Sequence, residues 1–476
     1  MTLTVQFKIT KHRNHFRNMS LAIGFAASAC AFTALTPTVA NAQSLVDALT
    51  AAYHSNPTLL ARRAKLRATD EEVPQALTNW RPEVSMSVDA GYQNTHNTNS
   101  SGSGRNQTRQ QQSVGIDITQ PLFRGGRTLA STSQAENSVR AERARLLATE
   151  QTVLLSVVSA YMNAYRDEAV LKLNLNNEQV LKRQLEATRD RFEVGEITRT
   201  DVHQAEARLA KTTADRIQSE GNLESSRADY LNVVGETAPA KLKAPRVPSA
   251  LPDSKEEAIK LAAVKNPAVI SAEFDRRAAI DSADGIWGEL LPQVELTAGY
   301  SKAYEGAAEQ GHINTAGISI GINIPIYQQG SVYSRLREAR QTAAQQAYVI
   351  DEQRRIAVAG ATRAWEALIT AQAQVTSFNT QIDANVVALE GVQREASVGS
   401  RTVLDVLDAE QELLDSRVSH VRAQRDEVVA VYELKSAIGQ MTALGLELPV
   451  TLYDPREHYR EVRGKWFGGN SDVYVQ

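Results

Sequence analysis

Two stretches without proline, from Pro121 to Pro239 and from Pro325 to Pro449, constrain this chain more than any other feature. Proline breaks a helix by removing an N–H donor and clashing with the preceding turn, so each stretch can be helical throughout. Thr128 to about Phe192 allows one helix of ~65 residues, roughly 100 Å at 1.5 Å per residue, against an ordinary helix of about 12 residues. Apolar residues cluster at heptad-like spacing, as at Leu147, Leu154, Val158, Tyr161 and Tyr165, with small and polar residues between. That pattern predicts coiled-coil packing rather than one globular core.

Both stretches are entered in the same way. "ITQPLFRGGRTLA" (118–130) and "INIPIYQQGSVYS" (322–334) each combine apolar/polar alternation, a proline, an apolar–aromatic pair and a glycine. Other pairs recur in the same order: Asn56-Pro57 with Asn266-Pro267, Pro82 with Pro292, Tyr161 with Trp365, Val194-Gly195 with Val398-Gly399, Asp201-Val202 with Asp405-Val406. The spacing is constant at 204 residues from Pro121 to Gly235 and is 210 before that, so the length change lies between the paired strands. This is a tandem duplication of a large unit. The first repeat is residues 43–248, with a β-hairpin at 83–122 and a helical hairpin at 128–235. The second is 249–448, with a β-hairpin at 293–327 and a helical hairpin at 331–440. Residues 449–476 read as a partly disordered tail.

The strands alternate cleanly. Val84, Met86, Val88, Ala90 and Tyr92 share one face, and Ser85, Ser87, Asp89 and Gly91 the other. Five isoleucines between Gly317 and Tyr327 alternate with Ser319, Gly321, Asn323 and Pro325. Period two means strand, here about ten residues in each. The polar segments 94–112 and 305–314 read as the hairpin loops, the first of them flexible.

The N-terminus is set apart. Lys8, Lys11, Arg13 and Arg17, with no acidic residue, precede the apolar run Leu21–Leu35 and the small-residue site Ala40-Asn41-Ala42. This reads as a secretory signal over residues 1–42, with Met19 as a possible true start. Cys30, the one cysteine, lies inside it, so the exported chain has no disulfide to stabilise it. Losing the signal moves the formal charge from −3 to −7, an acidic balance that argues against nucleic-acid binding. No later segment has the ~18 consecutive apolar residues of a membrane helix, so the chain meets an outer membrane with strands.

Four strands cannot close a barrel, whose smallest transmembrane form has about 8. Period two alone admits a half-buried soluble sheet as well as membrane strands. In the membrane case several copies must share one barrel, with Ser, Thr, Asp, Gly and Asn toward the lumen and Val, Ile, Leu and Tyr toward lipid. The signal, the duplicated hairpins and the very long helices together favour a channel.

The duplicated plan resembles the TolC family of outer-membrane efflux and secretion channels. The matching residues are the Asn-Pro pairs, "QPLFRGG" (120–126), "RFEVGEITRTDVHQAEARL" (191–209), "SVGSRTVLDVLDAEQEL" (397–413) and "LKSAIGQM" (434–441), in the family's order over nearly the whole exported chain. The resemblance implies an α+β membrane protein: a homotrimer with a shared twelve-stranded outer-membrane β-barrel and a periplasmic α-barrel of antiparallel coiled-coil helices. It also implies docking to a periplasmic adaptor (membrane fusion) protein and, through it, to an inner-membrane pump of resistance-nodulation-division or ABC type.

The same resemblance concentrates function at the helical tips. Asp405 and Asp408 match an acidic ring at the periplasmic gate, and Arg401 matches a latch reaching Thr200 and Asp201 on a neighbouring hairpin. Ala396 stands where the best-known member has an aromatic latch residue. Val194-Gly195 and Val398-Gly399 match adaptor-docking turns, although glycine is needed for such turns in any case. Thr198 with Asp201, and Thr402 with Asp405, also have capping-box spacing. Capping accounts for Asp201 and Asp405 but not for Asp408, whose counterpart in the other repeat is Gln204. A ring of carboxylates favours cations and raises some of their pKa values by mutual repulsion. Pro121 and Gly126, with Pro325 and Gly330, read as strand-to-helix joints, the prolines interrupting the ladder at the strand ends.

No catalytic constellation, cofactor motif or metal-ligand spacing is found. His54, His96, His203, His312, His420 and His458 are not paired at ligand spacing, and no phosphate-binding loop or nucleophile elbow occurs. Besides a channel serving pumps or secretion, a periplasmic coiled-coil adaptor or scaffold and a surface adhesin are the alternatives. The first would carry a lipoyl-like β-domain between its helices, and the second repeated surface modules.

Overall fold

The computed structural model describes residues 43–98, 104–239, 241–245, 251–307 and 309–468. The signal read over 1–42, residues 469–476 and residues 99–103 lie outside them. The first repeat runs α1 (Leu45–Ser55), α2 (Pro57–Asp70), α3 (Glu72–Leu77), a 3-10 turn (Thr78–Trp80), β1 (Glu83–Thr98), β2 (Gly104–Arg124), α4 (Arg127–Glu193) and α5 (Arg199–Val234). The second runs α6 (Lys255–Lys265), α7 (Pro267–Trp287), a 3-10 turn (Gly288–Leu290), β3 (Gln293–Ala307), β4 (Glu309–Asn323), α8 (Ser331–Ser397) and α9 (Val403–Ala437). A short α10 (Glu457–Val462) follows. Helices α4 and α8 are each 67 residues long, or about 100 Å.

The Asn-Pro pairs have a double role. Asn56 caps α2, its side-chain oxygen accepting from the N–H groups of Thr58 and Leu59, with Pro57 in the first turn, where its missing donor costs nothing. Its amide also donates to the carbonyl of Val233 at 2.9 Å, satisfying the end of α5. Asn266 does the same for α7 and for Ala437 at the end of α9. Each pair thus ties the start of its repeat to the returning helix.

The sheet is antiparallel, in the order β1-β2-β3-β4. Its register pairs Val84 with Ile118, Ile118 with Ala298 and Ala298 with Ile318, which places the apolar side chains on one face. That face is bare: Val84 is 65% exposed and Ile318 74%. The strands are longer than the sequence suggested. Pairing runs out to Thr98 with Gly104 and to Ala307 with Glu309, so most of 94–112 and 305–314 is ladder rather than loop. Backbone hydrogen bonds do not require apolar side chains, and so they continue past the apolar band.

The joints also differ from expectation. Pro121 does not end β2, which runs on to Arg124 through a bulge between Pro121 and Phe123. The proline is tolerated because β1 stops pairing at Thr119, leaving β2 an edge strand there. In the second repeat β4 does end at Asn323, two residues before Pro325. Gly126 and Gly330 cap α4 and α8 with φ of 77° and 79°. The tighter requirement falls on Gly125, where a Cβ would overlap the carbonyl of Gly288. Its counterpart Gln329 adopts φ 56°.

The main core joins both repeats. Leu49 and Leu59 from α1 and α2, Leu154 and Tyr161 from α4, Tyr230 from α5, Tyr432 from α9 and Met441 beyond it form one buried cluster. Among the described residues no helix is long and apolar enough to cross a membrane. Residues 449–468 are no loose tail: Val462 is buried, and the Tyr453 N–H donates to the Tyr53 hydroxyl at 3.1 Å.

One buried acid makes this core sensitive to pH. Burial pushes the Glu150 carboxyl above its ordinary 4.5, although the Ala443 N–H donates to it at 2.6 Å. Between 4.5 and the raised value the folded chain holds this proton more tightly than the unfolded chain, so stability falls as pH rises through that window. Glu150→Gln is expected to gain melting temperature over the wild type as pH goes from 4.5 toward 7; a difference independent of pH would refute the assignment.

Candidate functional site

The two helical hairpin tips are built by the same local chemistry. At the end of α4, Gly195 takes φ 79° and donates to the Phe192 carbonyl at 2.9 Å, while Glu196 N–H donates to Arg191 at 2.9 Å. At the end of α8, Gly399 (φ 79°) donates to Ala396 at 3.2 Å, and Ser400 to Glu395 at 3.0 Å. This bonding satisfies helix-end carbonyls, and glycine makes the left-handed residue cheap. Val194 and Val398 project from the turns almost bare, 79% and 80% exposed.

The helices restart with reciprocal caps. Thr198 Oγ1 and N–H both donate to Asp201, at 2.7 and 2.9 Å, and Asp201 N–H returns a bond to Thr198. Thr402 and Asp405 repeat this at 2.8 and 2.9 Å. The Thr402 backbone N–H, then its hydroxyl, hold the Asp405 carboxyl below its ordinary 3.8. Within one chain this opposes the upward shift expected of a crowded ring. Just above the turns, Leu181, Leu185, Val202, Ala205, Val403 and Leu407 form a buried cluster that joins the two hairpins.

Asp405 and Asp408 lie three residues apart on α9, so they share a helix face. Asp408 is engaged: Arg208 of α5 forms an ion pair with it. Capping leaves Asp408 unexplained, and this cross-hairpin pair supplies the missing partner. Arg401 bonds Glu395 of its own hairpin at 2.9 Å. Within the chain it is therefore not on Thr200, an exposed residue in the first turn of α5, and Asp201 is committed to its cap. Ala396 is buried at the turn. Glu410, one turn beyond Asp405, is pushed upward by burial and accepts from Gln393 at 3.1 Å. Arg208, Glu395 and Glu410 were not singled out from sequence. Arg208 lies four residues after Gln204, the counterpart of Asp408, but nothing local links residues on separate hairpins.

The model of the outer membrane efflux protein family matches residues 48–236 and 258–440. The chain belongs to this family. It is 35% identical over 437 residues to the outer membrane efflux protein BepC of Brucella suis, covering 92% of this chain and 94% of that one. The outer membrane protein TolC of Vibrio cholerae is 27% identical over 425 residues, covering 84% and 92%. The solved structure of VceC, an outer membrane protein of Vibrio cholerae, superposes with a TM-score of 0.74 at 18% identity, covering 83% of this chain and 96% of that one. These relatives bear out the resemblance read from the tip and joint motifs, and they place this outer membrane efflux protein in the outer membrane of a Gram-negative cell with its helices in the periplasm.

The caps can be tested directly. Thr402→Val removes the hydroxyl from both sides of its box, which should cost about 1 kcal/mol locally. Hydrogen exchange at the Asp405 amide is then expected to speed up about fivefold, with Tyr161 and its core neighbours unchanged. No change at Asp405 would refute the cap.

Proposed function

We propose that three copies of this chain form one outer-membrane channel, the exit duct of tripartite efflux pumps and type I secretion systems. It would carry toxic compounds or secreted products from the periplasm or cytoplasm to the exterior. The observation that carries this reading is the sheet. Its order leaves β1 and β4 unpaired at the two edges, and its apolar face is bare. In hydrocarbon an open edge leaves backbone groups unsatisfied, so the edges must pair with other copies. Four strands from each of three chains give a twelve-stranded barrel, an even number within the known range. A periplasmic scaffold without a pore would leave the isoleucines of β4 in water. Native mass spectrometry of the detergent-extracted protein should find three copies; a stable monomer would sink the proposal.

The tips then face the periplasmic entrance. Val194-Gly195 and Val398-Gly399 would offer exposed apolar turns to a periplasmic adaptor, and through it to a resistance-nodulation-division or ABC pump. Arg401 would exchange Glu395 for Thr200 and Asp201 of the neighbouring hairpin when the entrance is closed. The exchange is cheap because the Arg401–Glu395 pair is half exposed on both sides, so solvent screens it.

Asp405 and Asp408 from three copies would ring the opening, with the Asp408 charges partly held by Arg208. In bilayer recordings, Asp405→Ala with Asp408→Ala is expected to weaken cation preference and block by multivalent cations. Arg208→Ala, which releases Asp408, should strengthen both. Unchanged selectivity and block in the two variants would refute the ring. The cargo class is read by deleting the gene and scoring sensitivity to toxic compounds beside loss of secreted products.

A further inference from the structure

The segment after α9 ends in a feature that the channel reading does not use. Residues 453–466 are fastened along α2 and α4 toward the sheet. Arg143 Nε donates to the carbonyl of Pro455 at 3.2 Å, His458 Nδ1 lies 3.4 Å from the buried Asp70, and Arg463 pairs with Glu136 at 3.0 Å. Arg81, immediately before β1, donates to the Lys465 carbonyl at 2.8 Å, and its guanidinium lies 4.8 Å from the Trp466 ring centroid. Yet the two rings at the end of this strap are offered to solvent, Trp466 at 58% and Phe467 at 88% exposure. A chain that pins its backbone and presents two large aromatic side chains has a use for them.

Their position says what that use is. Trp466 and Phe467 line a cavity of about 830 Å³ together with Val84, Phe123 and Val294. These are the apolar residues of β1, β2 and β3 that lie at the helical end of the sheet, the first of β1 and β3 and the last of β2. The pair therefore sits level with the end of the apolar band. Aromatic side chains are favoured at that height, where an apolar ring and a polar edge meet the headgroup region. Arg81 and Arg124 line the same cavity, with the carboxylates of Glu83 and Glu295 opposite. Both signs of charge are present, which suits a zwitterionic headgroup and calls for no excess of anionic lipid.

We infer that Trp466 and Phe467 insert into the periplasmic leaflet of the outer membrane, making the strap an interfacial anchor that takes phospholipid as its partner. The inference rests on the membrane reading of the sheet, and its test separates the two. The exported chain has no cysteine of its own, since Cys30 lies in the signal segment. Single spin labels can therefore be placed by Phe467→Cys, by Ile320→Cys on the apolar face of β4, and by Leu444→Cys, which is 72% exposed at the helical body. The labelled exported chain, residues 43–476, is reconstituted in phosphatidylcholine vesicles. Collision of each label with oxygen is compared with collision with a water-soluble nickel chelate.

The Ile320 label should favour oxygen and the Leu444 label the chelate. The Phe467 label should favour oxygen, at a depth near the headgroups and shallower than Ile320. A label at 467 that behaves like the one at 444 would overturn the anchor. So would a label at 467 shielded from both reagents, since the aromatics would then be covered by a neighbouring copy. A label at 320 that favours the chelate would overturn the sheet reading itself, and the anchor with it.

Discussion

Everything in this protein follows from the cost of leaving a backbone donor or acceptor unpaired in hydrocarbon, several kcal/mol for each group. A four-stranded sheet with a bare apolar face pays that cost along two edges unless another copy pairs with β1 and β4. The length of the strands, the doubling of the hairpin and the proposed trimer all answer the same requirement. Small and polar residues such as Ser87, Gly115, Asp117 and Gly299 occupy the opposite face, which the proposed barrel would turn toward a water-filled passage.

In the proposed trimer the helices would carry that passage away from the membrane, and the joint between sheet and helix sets the geometry. Gly125 and Gly288 approach so closely that neither has room for a side chain. With the bulge after Pro121, β2 continues to Arg124, beyond Thr119 where its pairing with β1 ends. The second repeat reaches the same helix start by another route, an irregular segment after Asn323 and a left-handed Gln329. Duplication has preserved the joint's outcome rather than its residues, since only the first copy is pressed against another backbone.

What was legible in the sequence was local. The turns at Gly195 and Gly399 and the caps at Thr198 and Thr402 depend on residues within six positions of one another, and spacing reveals them. The charge pattern at the tips was not legible to the same degree. Asp408 meets Arg208 across two hairpins, and Arg401 meets Glu395 around a turn, so the free charge at the tips is smaller than a count of carboxylates suggests. The strap beyond α9 was hidden for a similar reason. Its anchors Tyr53, Asp70, Glu136 and Arg143 are scattered over α1, α2 and α4, and 449–468 has no periodicity that would reveal an ordered path.

The sequence by itself determined the length of the helices, the faces of the strands and the twofold repetition of the whole plan. Proline placement, period-two alternation and turn glycines act within a few residues, and the chain obeys them wherever it lies. Only the tertiary structure decided the order and register of the sheet, the end of β2 beyond Pro121, the partners of Asp408 and Arg401, and the path of the C-terminal strap. Those depend on which distant segments share an edge or a groove, and such contacts are selected by packing the whole chain at once.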